Sequence, residues 1–296
     1  MAYKSGFIAV IGKPNVGKSS LINAIIGEKV CITSPKAQTT RNKILGIYNT
    51  PDYQMVFVDT PGVQNTKSVL GEYMTKATTS STLGADAIVV LLDATSVTQT
   101  DYNIISKYEK SKVPVYVVVN KIDVSSYERL YPVLAKLNDY KFVKKFFTIS
   151  ALRRQKLDEL VSELSVCLPE GEPMYPTDTY TDRPIKFIAT EIIREKALLY
   201  LQQEIPHGIA IELQKFLEGN SKTTVVADII CDSDRHKQII IGAGGGMLKK
   251  IGTSAREELS KILAMPVTLK LFVKVKPNWR DNKYLLTDLG YDDKDL

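Results

Sequence analysis

Two rhythms of apolar spacing divide the chain. Over residues 1–168, short β-branched runs at 7–11, 54–58, 87–92, 115–119 and 146–149 alternate with stretches at 18–26, 99–111, 126–137 and 156–167 whose apolar residues recur at helical spacing. Continuous apolar runs predict strands buried on both faces. The strand–helix alternation predicts an α/β domain whose mainly parallel sheet has helices on both sides. Such sheets take ligands beyond the carboxyl ends of their strands. Between 169 and 184 the pattern stops, and Pro169, Pro173, Pro176 and Pro184 with Gly171 predict an extended linker. From 185 to 296 the rhythm changes to a helix near 188–203, strands at 209–216 and 223–231, a glycine cluster, one or two helices through Leu263, and a strand at 267–275. This is an α+β domain without βαβ repetition.

Composition narrows the class. With 296 residues, 44% hydrophobic and 24% charged, the chain is folded and long enough for two cores. The longest apolar runs, such as 87–92 and 113–119, fall far short of the roughly 18 residues that span a bilayer. The run at 7–11 is too short for a signal-peptide core, so a cytoplasmic protein without a transmembrane segment is expected. Cys31, Cys167 and Cys231 have neither a CxxC spacing nor a paired His, and read as buried reduced thiols rather than a disulfide framework or zinc site. The net charge of +6 is mild, but 235–283 holds eleven basic residues against Glu257, Glu258 and Asp281, while 288–295 holds four acids and one Lys. The basic segment is a candidate electropositive surface for a nucleic acid, with a protein partner or peripheral contact with an anionic membrane as the alternative.

The candidate chemistry starts after the first strand. Gly12-Lys13-Pro14-Asn15-Val16-Gly17-Lys18-Ser19 fits GxxxxGK[ST] at a strand-to-helix turn. In that pattern glycines let backbone amides and a helix N-terminus face a phosphate, Lys18 spans the β- and γ-phosphates, and the Ser19 hydroxyl ligates Mg²⁺. Gly12, Asn15, Val16, Gly17, Lys18, Ser19 and Ser20 are therefore nucleotide-site candidates. Asp59-Thr60-Pro61-Gly62 follows the second strand, where Asp59 can hold Mg²⁺ through water and the Gly62 amide can meet a γ-phosphate. Asn120-Lys121-Ile122-Asp123 follows the fourth strand, and the Asp123 carboxylate can accept from guanine N1–H and the 2-amino group. Ser150-Ala151, after the last strand, would add an amide donor to guanine O6. The order of these segments at successive strand ends selects GTP and GDP over ATP.

On these residues the first half resembles the translation-factor class of P-loop GTPases. Lys36-Ala37-Gln38-Thr39-Thr40-Arg41 then corresponds to the first switch, with Thr40 as its Mg²⁺ ligand and Thr39 as the alternative. Lys18, Thr40 and Gly62 are the catalytic candidates. Val63 stands where a water-orienting Gln is found in Ras-like enzymes, and a Val cannot polarise water, so slow unaided hydrolysis is expected. Related potassium-stimulated GTPases place a K⁺ ion with an Asn at the position of Asn15; a purely structural Asn is the alternative.

In the second half, Ile239-Ile240-Ile241-Gly242-Ala243-Gly244-Gly245-Gly246-Met247-Leu248-Lys249-Lys250-Ile251-Gly252 resembles the core of a KH domain of type II order, with Leu248 replacing an Ile. Its GxxG turn clamps single-stranded backbone. Ile241, Gly242, Ala243, Gly244 and Gly245, with Lys249, Lys250 and Arg256 as phosphate contacts, are the RNA-binding candidates. The turn carries Ala243-Gly244 where a basic residue is common.

A GTPase domain followed by a type II KH domain, together with the matches at 272–280 and 285–291, resembles the Era family of bacterial ribosome-assembly GTPases over nearly the whole chain. The resemblance implies three parts: a GTPase domain at 1–168, a linker at 169–184 and a KH-type domain at 185–296. It also implies binding to the 3′ end of 16S rRNA, a role in small ribosomal subunit maturation, and GTP control of the KH surface. Trp279 is open between a base-stacking platform and a packing anchor, with the anchor favoured.

Overall fold

The computed structural model describes residues 2–36, 38–63, 68–202 and 205–292. Ala37 of the switch segment, Gln203 at the end of the expected helix, and the acidic tail beyond Asp292 lie outside the described residues.

The first unit is a six-stranded sheet of β1 (Lys4–Ile11), β2 (Ile44–Asn49), β3 (Tyr53–Asp59), β4 (Ala87–Asp93), β5 (Val115–Asn120) and β6 (Val143–Thr148), in the order β2-β3-β1-β4-β5-β6. The β2–β3 pair is antiparallel and the other pairs are parallel. Every residue of β4 is buried, as expected of a strand covered on both faces. Helices α1 (Lys18–Ile26) and α5 (Leu157–Ser165) close one core with Ile8, Val10 and Phe57; α3 (Gln99–Ser106) and α4 (Tyr127–Leu137) close the other with Ile11, Val90 and Val117.

The differences from the periodicity reading have identifiable physical causes. Helix α3 ends at Ser106 because the next turns are held by Tyr108 N–H to Ile105 and Glu109 N–H to Ser106, a tighter winding than α. Strand β2 was hidden by Gly46, where a Cβ would lie 2.6 Å from the Ile22 side chain of α1. Helix α2 (Val69–Ser80), rich in Thr and with Gly71 in its first turn, has weak propensity; its Ser68 cap accepts from Gly71 N–H at 3.1 Å. The 169–184 segment is extended and strapped to the sheet: Ile47 N–H donates to Tyr180 at 2.9 Å, and the buried Gln54 amide donates to the Tyr175 carbonyl at 2.8 Å.

The second unit runs α6 (Ile185–Tyr200), β7 (Ala210–Glu218), β8 (Thr223–Cys231), α7 (Asp234–Ile241), α8 (Gly246–Ile262), β9 (Val267–Val275) and α9 (Lys283–Asp288). Its sheet is β7-β8-β9, with β7–β8 antiparallel and β8–β9 parallel. Ile192, Ile193 and Ala197 of α6 pack with Ile251, Ala255 and Leu259 of α8 over this sheet. The two units share an apolar cluster of Leu70, Tyr73 and Met74 from α2 with Ala210, Ile230, Trp279, Leu286 and Tyr291. Trp279 is fully buried there and its Nε1–H donates to Gly208 at 3.2 Å, so it packs rather than presenting a face to a base. Cys31 and Cys231 are buried, Cys167 half-buried, and all three are free thiols.

Candidate functional site

The loop between β1 and α1 wraps because Gly12, Asn15 and Gly17 take positive φ. A Cβ at Gly12 would collide with the Leu91 carbonyl, and one at Gly17 with the Asn120 side chain, so both positions need glycine for space as well as for φ. Lys18, the first residue of α1, is 5% exposed and curls back so that its ammonium donates to the Lys13 carbonyl at 3.0 Å. Burial lowers its pKa to about 8, against the opposing pull of Asp59.

Three oxygens meet beside it. The Ser19 hydroxyl donates to Asp59 Oδ2 at 2.6 Å, Thr40 Oγ1 donates to the same oxygen at 3.2 Å, and the two hydroxyls are 2.9 Å apart. Thr39 instead donates to the Lys36 carbonyl at 2.7 Å, so of the two threonines it is Thr40 that faces Ser19. Asp59 is fully buried, and its Oδ1 has no hydrogen-bond partner among the described residues. Burial raises its pKa, with the Lys18 charge and the two hydroxyls acting in the other direction. A buried carboxylate with a spare oxygen, flanked by two hydroxyls, is a donor set suited to a hard divalent cation. Gly62 packs on the loop, where a Cβ would overlap the Pro14 backbone. Val63 N–H donates to Gly12 at 3.0 Å while its side chain joins the β-sheet core, away from any water-orienting role.

Asn120, at the end of β5, is a buried brace: its amide donates to the Val16 carbonyl at 2.9 Å, and its Oδ1 accepts from Ala151 N–H at 2.9 Å. The Ser150-Ala151 turn and the phosphate loop are thus held by one side chain. The Lys121 ammonium donates to the Asn15 carbonyl at 2.7 Å and pairs with Asp93 at 2.6 Å, while Asp123 stands exposed in the following turn. The Asn15 side chain donates to Pro35 at 2.9 Å, tying the phosphate loop to the segment before Thr39. A cavity of about 680 Å³ opens over these residues, large enough for a nucleotide and lined by Gly17, Lys18, Ser19, Ser20 and Thr40. Sequence reasoning missed its far wall: Glu195, Lys196 and Leu199 of α6 also line it. No local pattern marks them, since they arrive there only by the packing of the two units.

In the second unit, Gly242, Gly244 and Gly245 all take positive φ between α7 and α8, with open space outside Gly244 and Gly245. Gly244 therefore fits the turn conformationally where a basic residue is common. Ile241 is half-buried against the core, and Ala243 is exposed. A groove of about 430 Å³ runs from Gly245 along α8 to β9, lined by Lys249, Gly252, Arg256 and Leu271. Lys250 points elsewhere, with its ammonium 4.4 Å from the Tyr200 ring centroid. Part of the basic excess is neutralised locally, because Lys274, Lys276 and Arg280 pair with Asp228, Glu212 and Asp232.

The sheet order, the phosphate loop and the glycine turn between α7 and α8 define a P-loop GTPase domain joined to a type II KH domain. Family models agree: one described as a 50S ribosome-binding GTPase matches residues 7–121, and a KH-domain model matches 204–280. The chain belongs to the Era family of GTPases. It is 46% identical over 290 residues to the GTPase Era of Clostridium acetobutylicum, covering 98% of both chains, and 46% identical over 297 residues to that of Lacticaseibacillus paracasei, covering 99% of both. It superimposes with a TM-score of 0.93 and 40% identity on a crystal structure of Era with MgGDPNP and nucleotides 1506–1542 of 16S ribosomal RNA, covering 98% of this chain and 99% of that one. An Aquifex aeolicus Era variant bound to GDP and AlF₄⁻ gives the same TM-score and identity, covering 97% and 99%.

Proposed function

We propose that this chain is a GTP-hydrolysing switch that binds 16S rRNA near its 3′ end through the KH domain and acts in small ribosomal subunit assembly. The observation that carries the reading is the convergence of Ser19, Thr40 and Asp59 beside Lys18, in one molecule with an open glycine turn and a basic groove. Ser19, Thr40 and Asp59, the last through water, would hold Mg²⁺, which when bound neutralises charge on the β- and γ-phosphates. Lys18 would add its own charge, the backbone N–H groups of residues 15–19 would face the phosphates, and Gly62 leaves room at the γ-phosphate. Asn120, Lys121, Asp123, Ser150 and Ala151 form the guanine end. With Val63 in place of a water-orienting residue, unaided turnover is slow.

The functional division is a GTPase domain at 1–168, a strap at 169–184 and an RNA-binding domain at 185–296. Ile241, Gly242, Ala243, Gly244 and Gly245 clamp the RNA backbone, Lys249 and Arg256 contact phosphates, and Lys250 lies at the margin. The protein works in the cytoplasm; among the described residues no helix is long and apolar enough to cross a membrane. The deciding experiment is binding of labelled single-stranded RNA matching the 16S 3′ end with GTP analogue, GDP or no nucleotide, at two salt concentrations, alongside GTP turnover in Na⁺ and K⁺. Salt-sensitive, nucleotide-dependent RNA binding supports the reading. No RNA binding in any state overturns it in favour of a protein or membrane partner.

A further inference from the structure

The segment carrying Thr40 is gripped by two consecutive residues of the KH domain's first helix. Glu195 of α6 is 2% exposed; its Oε1 accepts from the Thr33 backbone N–H at 2.8 Å, and its Oε2 accepts from Lys29 at 2.7 Å. Both partners lie at the upstream end of the loop and line the nucleotide cavity. Arg194, 1% exposed, donates from Nη2 to the Thr39 carbonyl, one peptide bond before Thr40, while Nε donates to Glu191 at 2.7 Å and fixes the guanidinium plane. Lys196 pairs with Glu195 at 2.9 Å and, with Lys29, converges on Glu258 of α8, so the grip is braced by a second helix of the same domain.

We infer that Arg194 and Glu195 are positioning residues for GTP hydrolysis: the RNA-binding domain holds the Thr40 hydroxyl in place from outside the GTPase domain. The inference rests on the assignment of Thr40 given above. The physical reason is entropic. A loop spanning residues 29–41 must spend conformational freedom to present one hydroxyl, and nearly buried, charge-assisted anchors at both of its ends remove that freedom before nucleotide arrives. Both anchors lie on the helix that packs against α8, which carries the groove, so whatever RNA does to α8 is one helix contact away from Thr40.

The test uses the full chain with Arg194→Met, Arg194→Lys, Glu195→Gln and Thr40→Ala. Affinities for fluorescent GDP and a non-hydrolysable GTP analogue, the Mg²⁺ concentration for half-maximal hydrolysis, and Tm are measured for each. Because Thr40 acts only when a γ-phosphate and Mg²⁺ are present, Arg194→Met, at a residue outside the cavity lining, should leave GDP affinity within about 2-fold, and Glu195→Gln should weaken GDP less than the GTP analogue. They should weaken the GTP analogue about 10-fold, about 1.4 kcal/mol, and raise the Mg²⁺ requirement similarly, with Arg194→Lys recovering part of the loss. Equal weakening of GDP and GTP analogue together with a lowered Tm means a merely structural contact and overturns the inference; so does no change in either affinity. If Thr40→Ala itself does not separate GTP from GDP, the Thr40 assignment falls and the inference with it. If Thr40→Ala does separate them and the α6 variants do not, the inference alone falls.

Discussion

The Arg41 guanidinium donates from Nη1 to the Ile209 carbonyl at 2.7 Å, which joins the residue after Thr40 to the residue before β7 of the KH domain. Its Nη2 also reaches the His207 carbonyl at 3.1 Å, and Nη1 the Tyr291 hydroxyl at 3.2 Å, with Trp279 5.6 Å away across its face. A side chain 1% exposed that bonds two backbone carbonyls of another unit cannot leave without stranding them. Arg41→Ala should destabilise the chain by about 3 kcal/mol, as expected when buried carbonyls lose a charged hydrogen-bond donor. It should also shrink the difference in RNA affinity between the GTP-analogue and GDP states. Urea unfolding and RNA titration in both states check the two effects.

Lys18 sets a pH dependence. Its folded pKa of about 8 lies below that of an unfolded lysine, so between those values the unfolded chain binds more protons, and stability rises with pH through that window. Bound phosphates favour the charged ammonium. Nucleotide binding should therefore take up a fraction of a proton that grows as pH passes 8 and vanishes in Lys18→Met. Calorimetric titration in two buffers of different ionisation enthalpy measures the uptake directly; an uptake independent of pH between 7 and 9 would contradict it.

Gly62 is required for space rather than for backbone angle. A methyl group there would overlap the Pro14 backbone, forcing the Asp59–Gly62 turn away from the phosphate loop. Gly62→Ala should keep GDP affinity within a few-fold and lower the GTP hydrolysis rate by about 100-fold, the scale seen when one amide is withdrawn from a transition-state charge. Single-turnover hydrolysis with GTP in excess of its dissociation constant provides the readout.

The basic residues of α8 should not contribute equally. Lys249 and Arg256 line the groove, whereas Lys250 lies over Tyr200. Substituting Lys249 or Arg256 by Ala should weaken single-stranded RNA binding and reduce the slope of log affinity against log salt by about 0.7 each. Lys250→Ala should change the slope by less than half of that. Anisotropy titrations across a salt series separate the three variants.

Much of this protein was legible in its sequence because the information is local. Strand–helix alternation, GxxxxGK[ST] after a buried strand, Asp59 at the end of the next strand, and a GxxG turn before an amphipathic helix each follow from neighbouring residues and backbone sterics. Strand β2 escaped because Gly46, which lets α1 approach, interrupts its pattern, and α2 because Gly71 and its threonines weaken the helical signal while Leu70, Tyr73 and Met74 pack on the second domain.

Tertiary structure alone decided which of two adjacent threonines faces Ser19, since adjacent hydroxyls differ only in how the loop is held. It alone made Trp279 an inter-domain anchor and turned Lys250 out of the groove. It also brought Glu195 and Lys196 to the nucleotide cavity, more than 150 positions along the chain from Lys18. Sequence pattern determines which faces must be buried and which loops can cradle a phosphate. Which remote side chains meet there depends on how two cores pack against one another, and that packing is settled by shape and charge summed over the whole interface.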